Sequence, residues 1–456
     1  MHSKSTLCPI PPAPHVIAQL FADYKSAARG IELSFYDYLQ VVGFRQTGRT
    51  TQELEERQMV GAPARTNIPK HQVVGELKVI VLLVDFADNP GKRPARQFED
   101  MLFSQQAYAT GSMREYYREV SGGQVDVTGT VHGWIRMPQP YTYYVNGRSG
   151  LGAYPRNGQR LAEDAVKAAL AQGVEFDRQL DKFGNSMVTA LFVVHAGMGA
   201  EVMPSVALQK KHMWSHKYEC EQPVEVGPGL TAATYLTVPE DARMGVCAHE
   251  LGHLAFQWDD FYDPDNEVDG EWAGAGKWDL MAGGSWNNGG NTPAHPAALH
   301  KLQHGWVPVE DYTGTGQVVL RPYNSDKPGI VRIRGRDFTA SQALLLENRR
   351  MQGFDGQLPG LGLLVWRVDT AFEMGDATTA AMTLVQADGR RDMERNLNNG
   401  DAGDPFPGSA NRRELDDTGT TSTSFPGQAP SGIRLSDIAL DPASGTITLN
   451  LGFSTH

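Results

Sequence analysis

The stretch His249-Glu250-Leu251-Gly252-His253, with Asp259 and Asp260 close behind, carries the residue types of a metal-dependent hydrolase. Read as a helix at about 100° per residue, it brings the two imidazoles within about 40° of one another. Side chains at that spacing have Cβ atoms roughly 5–6 Å apart, so both rings can reach a single ion at about 2.0–2.1 Å. Two neutral imidazoles and a carboxylate suit Zn2+, which then keeps one position for water and makes that water more acidic. Glu250, next to His249, faces the water rather than the ion. There it would take the proton as general base and hand it to a leaving amine. Leu251, Leu254, Ala255 and Trp258 fall on the other side, so the helix is expected to bury them and present its histidines to a cleft.

The third protein ligand has three candidates. Counting along the pattern HExxHxxGxxH/D lands on Asp259, although Phe256 stands where that pattern has its turning glycine. Asp260 is the next residue. A glutamate supplied from a later helix would be Glu271.

A mixed set of elements is expected to position this helix. Val79–Phe86, "VIVLLVDF", is a continuous apolar run of strand length, and 186–197 contains a second. Residues 112–137 read as a helix, a Gly-Gly turn and an alternating strand, and 158–173 as a long amphipathic helix between glycines. Before them, Val16, Leu20, Phe21 and Tyr24 lie at helical spacing, and 33–44 reads as a second helix with Ser34 as N-cap. After residue 310 come short apolar runs between Gly, Pro and Asp turns, the pattern of a β-sandwich. The fold class is therefore α+β, in three parts. Residues 1–72 form an N-terminal helical segment and linker that could serve as a pro-segment; 73–310 form the mixed domain with the histidine helix; 311–456 form an all-β, sandwich-like domain.

Composition narrows the function. The 456 residues are 40% hydrophobic and 21% charged, with a net charge of −12, so large cores can form. No Lys/Arg block marks a nucleic-acid surface. No apolar run reaches the roughly 20 residues of a membrane helix. The first residues lack the apolar core of a secretory signal. The chain as given is thus expected in the cytoplasm, or outside by another route or after trimming. Oligomeric state is not assigned. Cys220 and Cys247 could bridge in an oxidising compartment, with free thiols as the simpler reading. Cys8, in "CPIPP", could cap a zinc as a latency thiolate or be a plain thiol near the terminus. His216 and His295 read as buried, satisfied histidines. The acidic runs at 259–269 and 398–404 could bind Ca2+, though neither has EF-hand spacing.

The sequence also resembles a known family, the immune-inhibitor-A-type metallopeptidases, which are metzincins. The resemblance rests on "SMREYYREVSGGQVDVTG", "VVHAGMGAE", "YLTVPEDARMGVCAHELGH", "FYDPD", "WDLMAGGSW", "TPAHPAALHKLQHGWV" and "GLLVWRVD", which stand in family order from Leu77 onward. It implies a zinc endopeptidase acting on polypeptides, with a metzincin-like domain and a β-rich domain after it. It implies that Met281 is the methionine of a turn beneath the zinc. In the family the ligand aspartate precedes Leu/Phe-Tyr-Asp, which here selects Asp260, with Asp259 and Glu271 as rivals. Where members often carry a histidine in the "GLLxWH" block, this chain has Arg367. The competing reading is a binding or adhesion protein with a vestigial protease domain, against which Glu250 stands intact.

Overall fold

The run at Val79–Phe86 is apolar at every position but Asp85 because it is buried on both faces. In the computed structural model, which describes residues 7–27, 35–42, 69, 71–262, 273–323, 329–372, 380–395, 397–419 and 421–454, its residues up to Asp85 form the C-terminal part of β2 (Gly75–Asp85). Leu77, Val79, Val81 and Leu83 enter one hydrophobic core, and Ile80, Leu82 and Val84 enter another. That is the period-two alternation of a strand between two layers. Its neighbours are β3 (Val125–Arg136) and β4 (Leu191–His195), both parallel to it. Beyond β4 lie β6 (Leu230–Pro239), parallel, and β5 (His216–Gly227), antiparallel. A short edge strand, β1 (Cys8–Pro9), completes the order β1-β5-β6-β4-β2-β3.

Helices cover both faces. The helix Gly158–Ala171 supplies Leu161, Ala165 and Val166 to one core. The other core takes Phe98, Met101 and Leu102 from Ala95–Phe103, Tyr116, Tyr117 and Val120 from Met113–Val120, and Val246, Ala248 and Leu251 from Met244–Leu254. The Met113–Val120 helix starts with a capping box: Ser112 Oγ accepts from Glu115 N at 3.2 Å, and Glu115 Oε2 accepts from Ser112 N at 2.8 Å. Gly122 (φ 63°) and Gly123 (φ 80°) then turn the chain into β3.

The N-terminal helices span Pro14–Ala27 and Phe35–Val42. Val16 and Leu20 are buried, but Phe21 is 40% exposed, so the apolar stripe is narrower than the spacing suggests. Ser34, Glu271 and most of the 50–72 linker lie outside the described residues.

In the C-terminal part, β7 (Val309–Tyr312), β9 (Ile330–Ile333), β10 (Gln342–Arg349), β11 (Gly362–Asp369) and β12 (Met382–Leu384) form a sheet in the order β12-β11-β10-β9-β7. β8 (Gly316–Leu320), β13 (Ile433–Leu440) and β14 (Ile447–Phe453) form a second sheet, with β14 central. Leu344 and Leu346 of β10 share a core with Val318, Leu435 and Leu449 of the smaller sheet. Leu345 points the other way, into a core with Phe261, Trp278 and Ala297. All of β10 is buried, so the larger sheet lies between the smaller one and the histidine-bearing part instead of turning one face to water. The division expected after residue 310 falls inside β7.

Candidate metal centre

Every residue of the Met244–Leu254 helix is buried. This corrects the expectation of a helix with one open face: Ile10, Ala13 and Val16 of the N-terminal segment join the same core, and His249 and His253 are 0% and 3% exposed. The imidazoles are held by the main chain. His249 Nδ1 lies 2.9 Å from Leu280 O, and His253 Nδ1 lies 2.7 Å from Trp258 O. A carbonyl only accepts, so each Nδ1 bears the proton and each Nε2 its lone pair. The two Nε2 atoms are 3.0 Å apart. Asp260 Oδ1 is 3.2 Å from the first and 3.1 Å from the second.

Three acceptors thus converge where a cation is needed to hold them. Edges of about 3.3 Å are expected for donors at tetrahedral zinc distances, so the set fits a zinc-sized ion. Burial lowers the His253 pKa, partly offset by Asp260, which keeps the ring neutral and ready to ligate. Burial also opposes ionisation of Asp260, and positive charge at the two imidazoles, or at an ion they hold, is what keeps its carboxyl low. Glu250 is fully buried one residue after His249. Burial pushes its pKa well above the carboxylate range, with Asp260 and Glu201 adding to the rise.

The approach of Asp260 has a local cause. The helix ends at Leu254, Phe256 is buried and stacked between Tyr117 (4.7 Å) and Trp258 (5.0 Å), and Gln257 has a φ of 58°. The left-handed turn that a glycine would make at 256 is made one residue later, at Gln257. The aspartate three beyond the turn is therefore Asp260 rather than Asp259. Asp259 is half-buried and lies outside the triangle.

Met281 is fully buried against the helix: a methyl placed on Gly252 would lie 2.7 Å from its Sδ. Its carbonyl accepts from Phe261 N at 2.7 Å, next to Asp260, and its amide donates to Asp279 Oδ1 at 3.2 Å. The carbonyls of Leu280 and Trp258 and the side chain of Asp279 thus position the site without being readable as site residues. Farther out, Arg349 of β10 donates to Trp278 O at 2.9 Å and pairs with Asp355 through two contacts of 2.7 Å. Lys301 meets Glu347 at 2.8 Å, with both groups buried. The larger C-terminal sheet braces the segment that carries Met281.

The remaining candidates fall elsewhere. Cys8 lies beside the triangle: its sulfur and the ligand atoms of His253 and Asp260 are within 4.8 Å of one another. Cys220 and Cys247 belong to cores on opposite faces of the sheet and form no disulfide. His216 is buried and satisfied, with Nδ1 2.7 Å from Trp214 O and Nε2 3.0 Å from Tyr235 Oη. His295 sits 2.8 Å from Glu119 Oε1. Arg367 donates to Ser424 O at 2.9 Å in the C-terminal part. Asp388, Asp392 and Asp401 gather their carboxylates, and Asn398 donates to Asp401 at 2.9 Å; most of the acidic run after Tyr262 lies outside the described residues. Among the described residues, no helix is long and apolar enough to cross a membrane.

A helix-borne histidine pair closed by a loop aspartate, with a glutamate beside it, is the type of donor set on which metal-dependent hydrolases are built. Residues 68–310, more than half of the chain, match the immune inhibitor A peptidase M6 catalytic domain. The chain belongs to that family of metallopeptidases. It is 31% identical over 323 residues to immune inhibitor A of Bacillus thuringiensis subsp. alesti, an alignment covering 56% of this chain and 46% of the relative. It is 29% identical over 272 residues to the pre-pro-metalloprotease PrtV of Vibrio cholerae serotype O1 (strain M66-2), covering 47% of this chain and 28% of the relative. These alignments span less than half the length of either relative.

Proposed function

We propose that this chain is a zinc-dependent endopeptidase that hydrolyses peptide bonds in proteins. The observation that carries the reading is the triangle of His249 Nε2, His253 Nε2 and Asp260 Oδ1, with edges of 3.0, 3.1 and 3.2 Å and Glu250 beside it. His249, His253 and Asp260 would hold the ion, with Asp259 and Glu271 as the rival third ligands, and Met281 would floor the site as in a metzincin. When bound, zinc supplies Lewis-acid polarisation of the scissile carbonyl and an acidified water. Glu250 orients that water, takes its proton on a carboxylate oxygen, and passes it to the nitrogen of the departing amine. Burial of Glu250 suits this role, because a carboxylate kept from bulk water is a stronger base for its one intended partner.

Metal content and activity test the reading together. The wild-type chain should bind one zinc, and Asp260→Ala should lose it while Asp259→Ala keeps it; the reverse would move the third ligand to Asp259. Hydrolysis of casein or a peptide library should stop with a chelator, and Glu250→Gln should lower the rate by about 10²–10⁴-fold. Full activity from Glu250→Gln would remove the mechanism. Zinc binding without hydrolysis of any protein substrate, with the N-terminal segment removed, would favour the vestigial reading.

A further inference from the structure

The carbonyls of three successive residues, Pro9, Ile10 and Pro11, are each taken by a side-chain donor from a different part of the chain. Tyr262 Oη donates to Pro9 O at 2.7 Å, Trp214 Nε1 to Ile10 O at 2.8 Å, and Trp286 Nε1 to Pro11 O at 3.0 Å. Tyr262 follows the proposed ligand Asp260 by two residues, Trp214 leads into β5, and Trp286 lies beyond Met281. All three rings are buried. The Trp214 indole stands in for a bond of the sheet, because the Ser215 amide is turned to Glu201 Oε2 at 3.2 Å. Two amides of the same stretch find main-chain acceptors: Ile10 N donates to Ser215 O at 3.1 Å and Ala13 N to Glu201 O at 2.9 Å. Pro9 and Pro12 are buried, and a proline buries no N–H that must find an acceptor. The register fixes where these donors lie. Cys8 stands opposite Lys217 and Pro9 opposite His216, antiparallel to β5, and the Cys8 sulfur is within 4.8 Å of the ligand atoms of His253 and Asp260. Residues 9–13 thus lead from the metal triangle along the path that a peptide added to the edge of β5 would take.

We infer that Tyr262, Trp214 and Trp286 are the groups that hold a substrate's main chain in the proposed active site, and that the substrates it favours are extended, proline-rich stretches of polypeptide in the order proline-aliphatic-proline-proline. This rests on the endopeptidase reading above. A peptide in this register offers three successive carbonyls to the phenol and the two indoles in turn. The residue at the Ile10 position must bring an N–H for Ser215 O. It must also bring an aliphatic side chain, because Ile10 is fully buried in the core of the histidine helix. The residues at the Pro9, Pro11 and Pro12 positions need no N–H. A proline there arrives with φ already fixed, so less freedom is lost on binding than with any other residue. Aromatic walls that donate to carbonyls suit such a chain, whose backbone is extended and has no internal hydrogen bonds.

The test uses the full-length, zinc-loaded chain and a peptide library read by mass spectrometry. Peptides that are cut should be enriched in proline-aliphatic-proline-proline close to the cut. A peptide carrying Pro-Ile-Pro-Pro is then varied one group at a time on the wild-type protein, so that no variant need fold. N-methylation of its isoleucine should lower kcat/KM by about tenfold or more, since Ser215 O loses its donor. Trp286→Phe should keep its zinc and raise KM for this peptide by about tenfold with kcat unchanged, as expected for a contact made equally before and during the reaction. Cutting that ignores proline, an N-methyl isoleucine peptide cut as fast as its parent, or an unchanged KM in Trp286→Phe overturns the inference and leaves the endopeptidase reading standing. A zinc-loaded wild type that cuts no peptide overturns both.

Discussion

Gly252 lies between the two ligating histidines, and its substitution by alanine separates two opposing forces. In an open helix, Gly→Ala gains about 1 kcal/mol through helix propensity. At this position a methyl would lie 2.7 Å from Met281 Sδ, 3.0 Å from Trp258 Cε3 and 3.3 Å from Met281 Cε. Neither neighbour is free to retreat. Met281 is 0% exposed and tied through its backbone to Asp279 and Phe261. Trp258 is 2% exposed, its amide bonds Gly252 O at 3.1 Å, and its carbonyl takes His253 Nδ1. Overpacking of this kind costs about 1–3 kcal/mol, so Gly252→Ala should be destabilised by about 1 kcal/mol after the helix gain is subtracted.

The strain also has a direction. It presses on the Trp258 carbonyl that orients His253 and on the Met281–Phe261 contact beside Asp260. Zinc affinity should therefore fall by about 10–100-fold, the usual effect of disturbing groups that orient ligands. Urea unfolding of the metal-free protein gives the first quantity, and competition with a chromophoric chelator gives the second. Met281→Ala alone should cost about 2–5 kcal/mol by leaving a cavity. In the double variant the new methyl enters part of that cavity, so the two losses should fall short of their sum by about 1 kcal/mol. If Gly252→Ala is more stable than wild type by about 1 kcal/mol and holds zinc equally well, the packing of Met281 beneath the helix is wrong.

Two other predictions concern buried charge. Arg349 and Asp355 are 2% and 5% exposed, so Arg349→Met should cost about 3–5 kcal/mol in urea unfolding by stranding the Asp355 carboxylate. Adding Asp355→Leu should recover much of that loss, and a single-variant loss below about 1 kcal/mol would refute the pairing. Burial, opposed by hydrogen bonds from Ser215, raises Glu201 to about 7, above its unfolded value. Its stabilisation is thus complete below about pH 4.5 and lost as pH rises through about 7, a swing of about 3 kcal/mol. Glu201→Gln removes the swing: relative to this variant the wild type should weaken between pH 5 and 8 in unfolding curves, and a pH-independent difference would rule out the burial argument.

The histidine pair and Glu250 are legible in the sequence because one helix fixes their spacing covalently. The strands that can be read are those whose chemistry is uniform or alternating, such as β2, β10 and β11. β5 and β6 are harder to see. β5 mixes Lys217, Glu219, Glu221 and Gln222 with few buried residues, because much of it is not packed against a core. β13 does carry an alternating signal, with Ile433 and Leu435 buried between Arg434 and Ser436. It escapes notice because its interior ends in a polar Ser436-Asp437 irregularity, where Asp437 takes a φ of 53° and the pairing with β14 shifts.

The site itself stops being legible where its function passes from side chains to backbone. No residue type announces that Leu280 and Trp258 will offer carbonyls to the two imidazoles, since every residue has one. The choice between Asp259 and Asp260 turns on which residue goes left-handed after the helix. Phe256 cannot take that role without leaving its stack with Tyr117 and Trp258, so the turn moves to Gln257 and carries the carboxylate one position along. Motif counting assumes a glycine hinge, whereas here the core sets the register. The same reasoning explains Cys8. Its place near His253 and Asp260 follows from the pairing of β1 with the edge of β5 and from the hydrogen bonds that Trp214, Tyr262 and Trp286 give to the carbonyls of Ile10, Pro9 and Pro11.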